Sequence, residues 1–440
     1  MNVLKIVKAH CGCEAEPLRA PFGFKGRHID VLWQSAVALE DDSGNTGCAP
    51  GVQSVVWSDA AVIERLGQRR ANEAMLEITR CAVERVRGRS FENPVEMIRE
   101  LLDPLCAHAA QITGLPSVRP TFVLNALVPL DLAAWQLYAR ASGAAGFDGM
   151  IPKIYRQALP VRHSLLAEIP LVSYNVGLSE TADLARSGAS LFKIKIGSDP
   201  DGDGDREKML KWDMQRLSAL HEVLREGRTP HTESGRLAYY LDANGRYDTR
   251  DRLMRLMDHL DRIGALAQTV LLEEPFEENS EVDVHDIPVR IAADESAHGA
   301  ADARRLIEMG YRAMALKPIA KTLSVTLDVA RCAHAQGIPC FCADLTVNPL
   351  LVDWNKNVAA RLEAIPGMKI GVLESNGAQN YPDWPRLCSY HPMPDAGWVR
   401  ARNGLFVLDE AFYAQSGGIL MDSPHYLSVA RGKRDEEEKA

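Results

Sequence analysis

An α/β protein with a parallel (β/α) barrel behind an α+β front domain is what this sequence predicts, on three observations. The chain has 440 residues, 46% apolar and 25% charged, which is room for a barrel of ~250 residues and a second unit with its own core. Hydrophobic spacing changes near residue 59 from alternation to helical periodicity, the order of a sheet followed by helices. From Pro170 to Asn376, eight short apolar runs alternate with helical patterns, and most of the runs end in charged residues.

The front domain is expected over residues 1–150. VLKIVKAH and DVLWQSAVALEDDSGNTG alternate apolar and polar residues, with Asp42-Ser43-Gly44-Asn45 as turn chemistry, and predict a small antiparallel sheet. Apolar residues then recur at helical spacing: Val62 and Leu66, then Ala71, Met75, Ile78 and Ala82, then Met97, Ile98, Leu101, Leu102 and Leu105. The most apolar stretch begins at Thr121 but contains Asn125, Pro129, Asp131 and Gln136, so it is expected as a buried helix and not a membrane span. Pro152 and Pro160 bracket a linker-like stretch.

The barrel is expected over residues 165–385. Its strands are PLVSYNVG, SLFKIKIG, LAYYLDANG, TVLLEEP, VRIAADES, AMALKP, PCFCADL and IGVLESN, separated by helical patterns such as RLMRLMDHLDRIGAL and TLDVARCAHAQG. Eight strands alternating with helices make a closed parallel barrel.

Lys and Arg number 50 against 59 Asp and Glu, a net charge of −9 that offers no basic surface for nucleic acid or anionic lipid. Nine cysteines, an odd number, exclude a complete disulfide framework and favour the cytoplasm. The opening MNVLKIVKAHCGCEAE lacks the apolar core and cleavage pattern of a signal peptide. Asp199, Asp201, Asp203 and Gly204 imitate the start of an EF-hand loop, but Leu210 stands where a bidentate Glu is required, so a solvated acidic turn is expected. The tail RGKRDEEEKA is expected to fray.

A strand buried on both faces should be apolar, so charges at its carboxyl end need a reason, and in a barrel that end is the active-site face. In strand order it presents Lys193 and Lys195, Asp242, Glu273, Asp294 and Lys317. A lone Asp or Lys there is ordinarily a cap or a surface charge; six in order on one face are not. Three crowded carboxylates repel one another unless a cation compensates them, and hard oxygen ligands suit Mg²⁺, with Mn²⁺ as substitute. Lys193 and Lys195, two apart, share one strand face. Side by side and near a metal they are expected to depress each other's pKa, so that one can act as a base, with Lys317 facing them across the barrel.

These residues resemble the enolase superfamily, in its mandelate racemase/muconate lactonizing enzyme family, specifically the muconate lactonizing enzyme-like branch with a K-x-K motif. The K-x-K of FKIKIG, the D-x-N of LDANG, the E-E-P of LLEEP, the D-E-S of AADES and the K-P of ALKP stand in the family's order. The resemblance implies a modified TIM (β/α) barrel with an α+β capping domain, to which residues 386–440 return. It implies Asp242, Glu273 and Asp294 as Mg²⁺ ligands, Lys195 and Lys317 as acid–base residues on opposite faces of the substrate, and Lys193 as support for Lys195 and the substrate carboxylate. Asn244, Glu295 and Glu374 are implied in orienting substrate or neighbouring groups. Two departures bear on the substrate: Leu373-Glu374-Ser375-Asn376 replaces the Asp-x-Asp that dipeptide epimerases show on the eighth strand, and PIAKTLSVTL lacks the branch's usual Gly-Gly.

The implied reaction is abstraction of a proton α to a carboxylate through an enediolate. A racemase, epimerase or cycloisomerase comes first. A lyase that dehydrates a hydroxy acid or acid sugar comes second, although no His stands on strand seven and His334 falls in the preceding helix. A non-catalytic binding protein comes third. Substrate selection is expected in the segments Pro21 to Arg27 and Cys48 to Trp57, closing over the barrel mouth. The implied partner is a small carboxylate-containing substrate, with no nucleic acid and no membrane, and a homo-oligomer is left open.

Overall fold

A computed structural model describes residues 4–24 and 27–432, excepting the side chains of 22–28. The frayed tail expected at the C-terminus falls almost wholly in residues 433–440, outside the described residues. β1 (Leu4–Phe24), β2 (Arg27–Asp41), β3 (Thr46–Gln53) and β4 (Ser90–Phe91) form an antiparallel sheet in the order β3-β2-β1-β4. The turn between β2 and β3 uses the predicted chemistry: the Asp41 carboxylate accepts from the Ser43 and Asn45 N–H groups at 3.0 and 2.8 Å, and Gly44 takes φ 83°.

Three long helices follow, Ala60–Val86, Pro94–Thr113 and Pro120–Ser142. Asp59 and Asn93 cap the first two by accepting from the Ala61 and Glu96 N–H groups. Pro120–Ser142 lies directly on β3. A Cβ at Gly47 would fall 2.2 Å from the Ala133 carbonyl oxygen, and one at Gly51 2.6 Å from the Pro129 ring, so only glycine permits this approach. Among the described residues this helix alone is long and apolar enough to cross a membrane, but 94% of its most apolar window is buried in the protein. Its polar residues bond neighbouring backbone. Asn125 bonds Ser54 and Val52, Gln136 bonds Cys48 and Ile419, and Asp131 bonds Leu323 and Ser324.

The barrel strands are β5 (Leu165–Ile169), β6 (Leu171–Val172), β7 (Leu191–Lys195), β8 (Ala238–Asp242), β9 (Thr269–Glu273), β10 (Ile291–Ala293), β11 (Ala313–Leu316), β12 (Cys340–Cys342) and β13 (Gly371–Glu374). Neighbours from β6 to β13 run parallel. The ring closes through residues 165–172: β5 pairs with β13, β6 pairs with β7, and Pro170 between them accepts from the Lys193 N–H. The first strand therefore begins five residues before the PLVSYNVG run that marked it in the sequence. Its start, LLAEI, carries a Glu that obscures the apolar pattern. Within the linker-like stretch, Lys153–Ala158 is a 3₁₀ helix packed on the helix Leu323–His334.

Small side chains alternate with large ones inside the barrel, where Ala167, Ala292, Ala313 and Ala315 leave room for Tyr240 and Phe341, in edge contact at 5.3 Å. The segment from residue 386 touches both units. β14 (Leu405–Val407) adds antiparallel to β5, and the helix Pro424–Arg431 packs on β1 and β2. In the acidic turn after β7, Lys208 bonds Asp201 and Asp203 at 2.9 and 2.5 Å.

Candidate active site

Parallel pairing sets the charged strand ends level with one another: Lys195 is opposite Asp242, and Asp242 is opposite Glu273. Asp294 and Lys317 follow the last residues of β10 and β11. Lys193, Lys195, Asp242, Asn244, Glu273, Asp294, Glu295, Lys317 and Glu374, all nine residues predicted for the site, are buried and line one cavity with about 470 Å³ of space between its atoms, its mouth included.

The cluster is densely paired. Lys193 Nζ lies 3.0 Å from Asp242 Oδ2, 3.3 Å from Glu273 Oε1 and 3.1 Å from Glu374 Oε2. Lys195 donates to Asp242 Oδ2 at 2.6 Å and to Asn244 Oδ1 at 2.5 Å, and Asn244 Nδ2 donates to Glu295 Oε1 at 3.1 Å. Lys317 pairs with Asp294 Oδ2. The two lysines expected to handle protons thus sit on different carboxylates, with Glu273 on the strand between them.

The backbone is strained around this cluster. Asn244, Glu274 and Thr346 have φ of 44°, 40° and 55°, and all three follow barrel strands, where strain holds functional groups in place. Glu274 then reaches under the site: its Oε1 accepts from the Asp294 N–H at 2.7 Å and from the Ser296 N–H and Oγ at 2.8 and 2.6 Å.

The electrostatics correct one expectation. Burial works to lower the Lys193 pKa, but Asp242, Glu273 and Glu374 outweigh it and hold the ammonium well above its ordinary value. The adjacent cation was expected to depress Lys193 beside a metal; in the metal-free site the surrounding carboxylates prevail. The same pull outweighs burial at Asp242, where Lys193 and Lys195 bring the carboxyl down to about 2. Burial, with Asp294 adding to it, pushes Glu273 up to about 8 against Lys193.

Glu273, Asp294 and Glu295 present carboxylate oxygens within 4.8 Å of one another. Glu295 Oε2 is buried with no hydrogen-bond partner, so converging hard oxygens and an unpaired anion together fit a divalent cation. Glu295 therefore stands in this group, while Asp242 Oδ2 is engaged by Lys193 and Lys195.

Three further groups, Lys321, Asp344 and Thr346, were not anticipated. Lys321 donates to the Asp294 carbonyl at 2.8 Å and its Oδ1 at 3.4 Å; it lies four residues after Lys317, the spacing that could have revealed it. Asp344 follows β12 and lines the cavity with Thr346, carrying the same strand-end signal as its neighbours. Trp57 places its ring 4.6 Å from Lys317 Nζ. Of the segment from Cys48 to Trp57, residues up to Gln53 are strand β3, and Ser54 and Trp57 reach the cavity, joined by Ile29 and Leu32 of β2. The expected Pro21–Arg27 segment includes Lys25 and Gly26, which lie outside the described residues. No histidine is among the described residues lining the cavity.

Residues 178–379 match the family model described as enolase C-terminal domain-like. That match covers most of the barrel, from the helix after β6 through β13. The barrel and its cap are similar in fold to three solved structures. A substrate-liganded L-Ala-D/L-Glu epimerase from Bacillus subtilis has a TM-score of 0.62 at 16% identity, covering 86% of this chain and 92% of that one. A mandelate racemase/muconate lactonizing protein from Herpetosiphon aurantiacus gives 0.63 at 16%, covering 92% and 96%. A dipeptide epimerase from Enterococcus faecalis V583 with Mg and the dipeptide L-Leu-L-Tyr gives 0.60 at 18%, covering 86% and 92%. At these identities the likeness shows the fold, a modified TIM barrel with a capping domain. No curated protein matches the chain.

Proposed function

We propose that this protein is an enzyme that removes the proton α to a carboxylate through an enediolate and acts as a racemase, epimerase or cycloisomerase. The observation that carries this reading is one buried cavity in which Lys195 and Lys317 are held on separate carboxylates of a converging acidic cluster.

Asp242, Glu273 and Asp294, with Glu295 beside them, would hold the divalent cation, Mg²⁺ or its substitute Mn²⁺. When bound, such a cation supplies positive charge where an enediolate accumulates negative charge. Lys195, fixed by Asn244, takes the proton from one face, and Lys317, fixed by Asp294, returns one from the other. Lys193, beside Asp242, Glu273 and Glu374, attracts the substrate carboxylate. Trp57, Ile29 and Leu32 cover the cavity from the cap side and exclude water.

The test is a screen of dipeptides, N-acyl amino acids, muconates and acid sugars in D₂O with Mg²⁺, scored by exchange of the α proton. Exchange with inversion and no mass change beyond deuterium is expected. Loss of water instead would transfer the protein to the lyases, and absence of exchange from every class would overturn the reading.

A further inference from the structure

Asp344 is a buried acid that the proton transfer does not use. It is 5% exposed. Its Oδ2 accepts from the Asn376 N–H at 2.8 Å, and its own N–H donates to Glu374 Oε2 at 3.1 Å, so the loops after β12 and β13 hold it rigidly. Its Oδ1 is buried with no hydrogen-bond partner, although the residue lines the cavity. An unpaired buried carboxylate oxygen is expensive in a stable fold and is retained where a ligand completes it.

The charge of the cavity indicates what kind of ligand. Six carboxyl groups, of Asp242, Glu273, Asp294, Glu295, Asp344 and Glu374, line it against three lysines. With all six ionised, a divalent cation adds two positive charges and a substrate carboxylate subtracts one, which leaves one acid in excess even with Lys321 on Asp294. Burial, with Glu374 adding to it, pushes the Asp344 carboxyl up to about 7 against the N–H groups of Asn376 and Leu345; a cation beside it would relieve that strain. The polar groups are also separated in space along the strand order. Asp294 and Lys317 follow β10 and β11, Asp344 follows β12, and apolar Leu171 and Leu345 line the same cavity.

We propose that Asp344 Oδ1 receives a protonated amine of the substrate, so that the substrate class is an amino-carboxylate whose ammonium group docks after β12. This rests on the reading above for the placement of the carboxylate; the amine site is separate from the proton-transfer groups. The amine comes from a free α-amino group or from a longer chain, and chain length distinguishes the two.

The test uses binding, not turnover. Straight-chain ω-amino carboxylates and the alkanoates of equal length are titrated calorimetrically into the full-length protein with Mg²⁺, for the wild type and for Asp344→Asn, with melting of each variant as the check on folding. At the best length the amino compound is expected to bind about ten- to a hundredfold more tightly than its alkanoate, as one charge-assisted hydrogen bond allows. Asp344→Asn should bring that ratio close to one. If Asp344→Asn melts early, Asp344→Glu, which keeps the charge, should preserve a preference at a shorter chain length. Equal binding at every length, or a preference that survives in Asp344→Asn, overturns the amine site. The exchange screen fails or succeeds on its own, so a protein that binds amines without exchanging protons would leave this inference standing and remove the proposed reaction.

Discussion

Two buried lysines make an instructive pair. Lys193, at the barrel mouth, is 3% exposed and faces Asp242, Glu273 and Glu374. Lys356, on the helix Pro349–Ala359 outside the barrel, is fully buried; it donates to Asp353 Oδ1 at 2.5 Å and the Trp398 carbonyl at 2.6 Å, above the Phe406 ring at 4.1 Å. Burial works to lower both pKa values. With Asp353 and Glu168 opposing it, burial wins at Lys356; with Asp242, Glu273, Glu374 and Asp294 opposing it, the acids win at Lys193. Lys356 thus belongs to a structural set that ties the helix to the C-terminal segment, with His391 Nε2 lying 2.9 Å from Asp353 Oδ2. The mouth carries more acid than its lysines neutralise. A balanced cluster ties elements together, whereas an unbalanced one is poised for a ligand.

The strongest way to break this contrast is to remove acids at the mouth. Glu273→Ala or Asp294→Ala should abolish α-proton exchange and weaken Mg²⁺ binding by more than about a hundredfold, beyond what loss of an outer contact causes. Calorimetry checks it, and unaltered affinity in both variants would sink the metal assignment. Next come the proton-handling lysines. Lys195→Ala should stop exchange from one stereoisomer and Lys317→Ala from the other, each by roughly 10²–10⁴-fold with metal still bound. Wild-type rates in both, measured by NMR in D₂O, would end the two-face mechanism.

The outer cluster should respond in the opposite currency. Lys356→Met leaves Asp353 without its lysine and is expected to cost about 3–5 kcal/mol in urea unfolding, while exchange per folded molecule stays at the wild-type rate. A loss of exchange would show the two regions to be coupled.

The smallest effect is a difference in slope with pH in metal-free protein. The Lys193 pKa is raised in the fold, so its contribution is complete below the unfolded value of about 10.4 and is lost as pH rises through the higher folded value. The Lys356 pKa is lowered, so the unfolded chain binds more protons just below about 10.4 and stability gains there as pH rises. Lys193→Met should remove the falling contribution and Lys356→Met the rising one. Urea midpoints measured from pH 8 to 11 give both slopes, and slopes of the same sign would refute the contrast.

Much of the mouth was legible because a charge at the end of an otherwise apolar strand has few structural uses. Lys193, Lys195, Asp242, Glu273, Asp294 and Lys317 all stood out on that ground. Asp344 belongs to the same class but was overlooked, since PCFCADL draws attention to its cysteines. Lys356 and Asp353 were not legible: in LLVDWNKNVAARL they look like the polar face of an ordinary surface helix, and only the C-terminal segment folding over them buries them. LLAEI was likewise hidden, because Glu168 interrupts an apolar run whose partner strand, β13, lies two hundred residues later.

By itself the sequence determined the alternation of strands and helices, the α+β order of the front domain, and the set of ionisable groups at one barrel face. These follow from local periodicity and from the rule that a strand buried on both sides admits charge only at its end. The tertiary structure alone decided how those charges are paired, that carboxylates on three sides raise the Lys193 pKa in the metal-free site, and that Asp344 keeps an oxygen without a partner. Pairing, burial and field depend on distances between residues far apart in the chain, and no local pattern encodes them.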